Sequence, residues 1–500
     1  MSSLKSSIYP DGDPLAVVTA PPPDESPLER DERLSSEKAA QKRSDAIDEE
    51  IARQRIAEKK APKVVKVLLL GQSESGKSTT LKNFQLINSP KAFRQERASW
   101  RAVVQLNVAR SIRIILDIMT QAHAQQTQRQ HPVASSSMSS FESLQRPDVV
   151  YPTLTAEHLK LKMRLKPLLQ VEEALLRRLS PGNTVEFEAT QLSVPTSLPY
   201  PDRNYKEPSV NSAVHWKGAF GRLLTPNEQR ASFDSEQGID FDDPKDPGLV
   251  LHNCREDMVH LWNDPTVKEL LKVHKLRLED LSGFFLDSLD RVTALKYVPS
   301  DDDILRARIK TLGVSEHRFR LKAGNMVSHD WRVFDVGGAR SLRGAGPQVP
   351  SSAWAPYFDD MDAIIFLAPL SCFDQVLAED SSVNRLEDSM SLWKSIVSNQ
   401  LLKSTDLILF LNKCDILKAK LESGIRFGTW VISYGDRANT FEGAANYMKK
   451  KFAGSFKTNS PEPRPFYCHF TSVTDVKSTT HILENVKDTV VRKNLQDSLL

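Results

Sequence analysis

Three short clusters in this 500-residue chain have the residue types and spacing to handle a phosphorylated ligand. The first, Gly71-Gln72-Ser73-Glu74-Ser75-Gly76-Lys77-Ser78, fits G-x-x-x-x-G-K-[ST] and follows the apolar run Val64 to Leu70. Its two glycines let the backbone curl until its N–H groups face an anion, Lys77 reaches the outer phosphates, and the Ser78 hydroxyl suits Mg²⁺. The second, Asp335-Val336-Gly337-Gly338, ends a strand-like run. A carboxylate there can hold Mg²⁺ through water, and a glycine N–H can meet a terminal phosphate. The third, Asn412-Lys413-Cys414-Asp415, follows the run Leu407 to Leu411. A carboxylate placed like Asp415 accepts two hydrogen bonds from guanine N1 and N2, which adenine cannot supply, and the stem of Lys413 can cover the base. Each cluster alone is compatible with a polar turn. Their order, each beyond a strand, points to a guanosine triphosphate with Mg²⁺.

Such loops need a scaffold that brings them to one edge. Strand candidates at Arg318 to Lys322, Trp331 to Phe334, Ala363 to Leu367, Leu407 to Leu411 and Phe466 to Phe470 alternate with helical stretches. That texture predicts an α/β fold with a mainly parallel sheet, its ligand groups on loops beyond the strands' C-terminal ends. The strand before Gly71 belongs to the same sheet, so the intervening residues form an insertion. Helical periodicity runs through Trp100, Val103, Leu106, Ile112 and Leu116, again over Leu159 to Leu179 with a break expected at Pro167, and again over Asp257 to Val298. The expected organisation is a disordered tail over 1–31, an N-terminal helix over 32–60, an α/β nucleotide-binding domain over 61–90 and 303–500, and an all-helical inserted domain over 91–302. Loose, Pro-, Gln- and Ser-rich insertions are expected near 121–150 and 180–247. The N-terminal helix carries only Ile47, Ile51 and Ile56 as a thin apolar stripe, so it is either solvated or waiting for a partner surface.

Composition narrows the class. A net charge of +3 with 26% charged residues gives no nucleic-acid footprint, and runs such as Lys449-Lys450-Lys451 read as solvated faces. Cys254, Cys372, Cys414 and Cys468 are widely spaced without C-x-x-C, which fits a reducing intracellular setting rather than a disulfide framework. No apolar stretch reaches the length of a transmembrane helix, and the first residues lack the apolar core of a signal peptide, so a soluble protein is expected. Ser2 stands where N-myristoylation requires glycine, and the first cysteine is Cys254. Attachment to the cytoplasmic face of the plasma membrane would then depend on partners or charge.

With these motifs in this order, the sequence resembles the α subunits of heterotrimeric G proteins over roughly 32–120 and 250–500. Asp303-Ile304-Leu305-Arg306-Ala307-Arg308-Ile309-Lys310-Thr311 resembles the family's first switch, Phe334-Asp335-Val336-Gly337-Gly338 its second, and Thr471-Ser472-Val473-Thr474-Asp475 its guanine loop. Leu289-Asp290-Arg291 and the C-terminal Asn494 to Leu500 are also similar. The resemblance implies a GTP/GDP switch with Mg²⁺, and partners in β/γ subunits, a seven-helix receptor and an effector. Such subunits are a standard case of phosphoryl transfer by positioning and electrostatics. It places Glu74, Ser75, Gly76, Lys77, Ser78, Thr79, Ser288, Leu305, Arg306, Arg308, Thr311, Asp335, Gly338, Asn412, Lys413, Asp415 and Val473 at the nucleotide. Ser78 and Thr311 would ligate Mg²⁺ directly and Asp335 through water. Lys77 would bind the β/γ-phosphates, Arg308 would supply an arginine finger in cis, and Glu74 would pair with it.

The chain departs from that pattern at the reacting centre. Ala339 stands where the family has the glutamine that orients the attacking water, and Ser73 stands for a glycine packed near the γ-phosphate. A methyl group neither donates nor accepts, so slow hydrolysis is expected. Gly344 to Ala353 lengthens the second switch region, Ser288 replaces an aspartate that helps close the helical domain, and Ser498 replaces a cysteine that some members offer for ADP-ribosylation. The last helix, about Val476 to Asp497, presents Ile482, Leu483, Val486 and Val490 to the sheet. Two other classes stay open: a nucleotide-dependent scaffold that holds GTP without turnover, and a P-loop kinase or ATPase, against which Asn412-Lys413-Cys414-Asp415 argues.

Overall fold

The computed structural model describes residues 26–60, 64–130, 151–179, 246–274, 276–312, 314–323, 327–337, 361–377 and 382–486, with shorter pieces at 185–187, 190–191, 206–211, 241, 243–244 and 380. Residues 1–63 form one unit and 64–500 another. In the first, a single helix α1 covers Pro27–Lys60, with Pro27 in its first turn where a missing N–H is harmless. It therefore begins inside the tail expected over 1–31, of which 1–25 lie outside the described residues. Ile47 and Ile51 are exposed, as a thin stripe implies.

The second unit is built on six strands, β1 (Val65–Gly71), β2 (Val314–Ala323), β3 (Val327–Val336), β4 (Ala363–Pro369), β5 (Asp406–Asn412) and β6 (Phe466–Phe470). Their spatial order is β6-β5-β4-β1-β3-β2. Every neighbouring pair is parallel except β2 with β3, a hairpin in which Ser315 opposes Asp335. The interior strands β4 and β5 are buried along their whole length, which is why they read as continuous apolar runs rather than alternating ones. Alternate side chains feed separate cores. Leu68, Leu70, Phe366, Leu409 and Leu411 pack with Trp393, Phe452 and Phe456, whereas Val67, Leu69, Ile365 and Phe410 pack with Leu81, Phe84 and Trp331. Leu483 and Val486, on the helix over 476–486, close the second core. Residues 487–500, with Val490 of the expected last helix and Ser498 beyond it, lie outside the described residues.

A third core belongs to the helices between β1 and β2. The long helix α3 (Arg97–Gln130), which follows α2 (Lys77–Asn88), contributes Trp100, Val103, Val104, Ile112 and Met119. These pack with Leu161 and Leu165 around α4 (Ala156–Arg164), with Leu168 of α5 (Pro167–Leu179), and with Leu261 and Trp262. The break at Pro167 is where it was expected, with proline opening the new helix.

Two expectations are corrected here. Helix α3 continues through Gln121–Gln130, part of the stretch read as loose over 121–150. Gln and Ala propagate a helix already nucleated, and Gln126 exchanges hydrogen bonds with the Leu154 backbone. The stretch 180–247 holds three short strands, Val185–Phe187, Thr190–Gln191 and Lys206–Asn211, so the insertion is not all helical. Two of them pair with segments far along the chain, Val376–Leu377 and Lys310–Leu312, which local patterning does not show.

Candidate functional site

Parallel pairing explains why the motifs meet. Gly71 at the end of β1 pairs with Leu367 of β4, Asn412 at the end of β5 pairs with Pro369, and Leu69 pairs with Asp335 of β3. All these strand ends open on one edge, where a cavity of about 370 Å³ lies. Its floor includes Ser73, Glu74, Gly76, Lys77, Ser78 and Thr79. Further walls come from Leu305, Arg306 and Arg308, from Val336 and Gly337, and from Asn412, Lys413, Asp415 and Val473. Its volume suits a ligand of nucleotide size.

The phosphate loop needs its glycines. Gly71 has φ +144°, and a Cβ there would stand 2.4 Å from the Leu367 carbonyl oxygen. Gly76 has φ +103°, with a Cβ position 2.3 Å from Asn412 Nδ2. Between them Glu74 adopts φ +60° without being glycine, a conformation uncommon enough to mark a functional loop. Helix α2 then starts at Lys77, so its first N–H groups face the cavity. The Lys77 ammonium donates to the carbonyls of Gly71 (2.9 Å) and Gln72 (2.7 Å), curling over the loop it belongs to.

Ser78 Oγ donates to Asp335 Oδ2 at 2.7 Å. Asp335 is buried, and its Oδ1 has no hydrogen-bond partner among the described residues. Burial pushes its carboxyl above the usual range, against the pull of Lys77 and the Ser78 hydrogen bond. A hydroxyl beside a carboxylate with a spare oxygen is a hard-oxygen donor pair that fits Mg²⁺. Thr311 lies in the strand Lys310–Leu312, and its side chain is not among those described.

Glu74 is held by two guanidinium groups. It pairs with Arg308 and, at 3.1 Å, with Arg385, which also donates to the Ser73 carbonyl (2.6 Å) and to Gln375 Oε1 (3.0 Å). Burial, with Arg385 nearby, lowers the Arg308 guanidinium to about 9. The backbone of Arg308 is fixed from the helical side, donating its N–H to Asn107 Oδ1 (2.8 Å) while its carbonyl accepts from Asn107 Nδ2 (3.0 Å). Lys82, one turn beyond Ser78, donates to the carbonyls of Ile304 and Ala307 at 2.8 Å each and covers Trp100. Burial depresses its pKa to about 7.

The base side is organised by Asn412, which is fully buried and acts as a staple. It donates to the Ser75 carbonyl (2.7 Å) and accepts from Thr471 Oγ1 (3.0 Å) and Val473 N–H (3.3 Å). Lys413 takes φ +60° and turns the chain so that Asp415 lines the cavity. Burial, with Arg385 next, lowers the Lys413 amine to about 7.

The structure therefore gathers most residues expected at the nucleotide, and it separates a few. Ser75 is buried behind the loop and contributes its carbonyl to Asn412. Ser288, in a turn over Leu286–Ser288, is not among the lining residues, whereas Ser282 and Gly283 from the same segment are. Gly338, Ala339 and 344–353 lie outside the described residues. Sequence reading missed Lys82, Asn107, Gly283 and Arg385. Lys82 follows Lys77 by five positions on one helix, a weak signal. The others carry none, because each acts through a contact distant in sequence.

A phosphate loop on a mainly parallel sheet, with a base-side loop and a helical insertion closing over the same edge, defines a P-loop nucleotide-binding protein. Comparison with known proteins narrows that class. A family model described as G-protein alpha subunit matches residues 41–490. Guanine nucleotide-binding protein alpha-4 subunit of Mycosarcoma maydis is 32% identical, with 97% of this chain and 95% of that protein covered. The alpha-1 subunit of the same organism is 27% identical over 92% and 97%, and a guanine nucleotide-binding protein subunit alpha of Coprinellus congregatus 26% over 92% and 96%. The chain belongs to the G-protein alpha subunit family, and guanine-nucleotide binding in signal transduction comes with that membership.

Proposed function

We propose that this chain binds GTP and GDP together with Mg²⁺ in the cavity at the sheet edge, hydrolyses GTP slowly, and switches partners with its nucleotide. The observation that carries this reading is the pairing of Ser78 with Asp335 on one side of a cavity whose other side presents Lys413 and Asp415. Lys77 and the N–H groups opening α2 hold the β- and γ-phosphates. Ser78, Thr311 and, through water, Asp335 would hold Mg²⁺, which would supply positive charge beside the phosphates. Asp415 reads guanine N1 and N2, and Lys413 covers the base. Arg308 contributes positive charge to the transferred phosphoryl group after exchanging Glu74 for it, a two-position side chain suited to a switch. The domain division follows: an α/β domain over 61–90 and 303–500, and an inserted domain over 91–302.

Ala339 offers no group to orient water, and Ser73 lines the cavity where the family keeps glycine. A misplacement worth on the order of 100-fold raises the barrier by about 2.7 kcal/mol. Coupling to β/γ subunits, a seven-helix receptor and an effector belongs to the same reading, as does work at the cytoplasmic face of a membrane. No helix among the described residues is long and apolar enough to cross one.

Single-turnover phosphate release from GTP-loaded protein tests the chemistry. The native chain should be slow and Ala339→Gln at least tenfold faster. Equal, ordinary rates would show that another group orients the water. GTP binding without release in either protein would make the chain a scaffold that holds GTP, and ATP competing equally with GTP would remove the assignment to Asp415.

A further inference from the structure

Asn107 sits on α3 among Val103, Val104, Leu106 and Val108 of the third core, and is itself buried. A buried amide in an apolar stretch is destabilising unless its hydrogen bonds are made. Among the described residues, both of those its side chain makes go to one residue of a distant segment. Oδ1 accepts the Arg308 N–H at 2.8 Å, and Nδ2 donates to the Arg308 carbonyl at 3.0 Å. Gly283 leaves room for this contact. With φ +83° it packs so closely that a Cβ there would stand 2.8 Å from Asn107 Oδ1 and 3.0 Å from Arg308 Cβ.

The N–H and C=O of one residue belong to the two peptide planes that flank its Cα, and holding both planes fixes the direction of Cβ. The plane before Arg308 is pinned from two helices, because the Ala307 carbonyl within it accepts from Lys82 on α2 at 2.8 Å while its N–H meets Asn107. The plane after Arg308 is held by the Asn107 amide. A tilt of about 10° at Cα carries a group about 6 Å away through about 1 Å, a displacement that costs up to about 100-fold at a reacting centre. Resting on the arginine-finger reading above, we infer that Asn107 is a positioning residue for hydrolysis: by holding both peptide planes of Arg308, it aims the guanidinium at the transferred phosphoryl group once Glu74 releases it. Asn107 is not among the residues lining the cavity, so its effect on the reaction passes through Arg308. An amide is needed for this. A carboxylate of the same shape keeps the bond to the N–H but turns an oxygen toward the Arg308 carbonyl.

The test measures single-turnover phosphate release from the GTP-loaded full chain for the native sequence, Asn107→Ala, Asn107→Asp, Arg308→Ala, and Arg308→Ala combined with each Asn107 substitution. Affinity for a fluorescent GTP analogue is measured beside it. Release should be about tenfold slower in both Asn107 variants, with affinity within about twofold of the native chain. Asn107→Asp fills the same space, so its result stands where the alanine variant fails to fold. Arg308→Ala should be slower still, and adding either Asn107 substitution to it should change nothing, because a residue that acts through the guanidinium then has nothing left to aim. A native rate in both Asn107 variants, the same loss persisting on top of Arg308→Ala, or affinity falling in step with the rate would each overturn the inference. A native chain that releases no phosphate, or an Arg308→Ala variant as fast as the native one, would remove the arginine-finger reading itself, and the inference would go with it.

Discussion

Lys82 shows how much of this site is done by groups that belong to no motif. Its amine closes the end of the short helix Asp301–Arg306 by donating to Ile304 and Ala307, and burial lowers its pKa to about 7. Between pH 7 and the ordinary lysine value of 10.5 the unfolded chain therefore carries a proton that the native chain does not, so this residue's contribution to stability rises with pH across that window and is lost as pH falls through 7. Urea unfolding of nucleotide-free protein should show the advantage of the native sequence over Lys82→Met growing between pH 7 and pH 9. A constant difference would mean the amine stays charged. Sequence made Lys77, Ser78, Asp335, Asn412, Lys413 and Asp415 legible because their chemistry is local to a loop and its spacing. Lys82, Asn107 and Arg385 bind carbonyls or carboxylates contributed by other segments, and no spacing along the chain encodes such a partner.

At the scale of elements, the strands of the main sheet were legible because burial on both faces leaves continuous apolar runs, and Pro167 marked its own helix boundary. The short strands over 185–211 were not, since Val185–Phe187 and Thr190–Gln191 are too short to show a period, and Lys206–Asn211 carries Pro208 and no clean alternation of apolar residues. The turn from phosphate loop to α2 is the element most exposed to a single change. Gly76→Ala places a Cβ against Asn412 Nδ2 at a positive φ of 103°. Strain of about 1–3 kcal/mol adds to the loss of the Asn412 bonds to Ser75 and Val473. The variant should lose about 2–4 kcal/mol of unfolding free energy and at least tenfold in GTP affinity, read by urea titration and fluorescent-nucleotide binding. An unaltered affinity would mean that the loop tolerates a side chain at this turn.

Over the whole molecule, Lys420 joins the helical side to the sheet side. Its buried amine meets Asp280 at 3.2 Å and Asp374 at 2.6 Å, and donates to the Ser371 carbonyl at 3.0 Å. Burial holds the Asp280 carboxyl above its usual range, with Lys420 pulling it back. Lys420→Ala removes the cation these two carboxylates share and leaves Asp280 with Arg277 at 3.4 Å, so the loss should reach about 3 kcal/mol, the lower end for breaking a buried pair. Urea unfolding should register that loss, and Lys420→Arg should recover part of it; a loss below 1 kcal/mol would mean that water replaces the amine. The staple made by Asn412 has a consequence of another kind. Because one side chain binds the loop under the phosphates to the loop beside the base, both become ordered when the protein folds rather than when ligand arrives. The conformational entropy of assembling the site is then part of the stability of the apo protein, and an incoming nucleotide meets a surface already in register with both its ends.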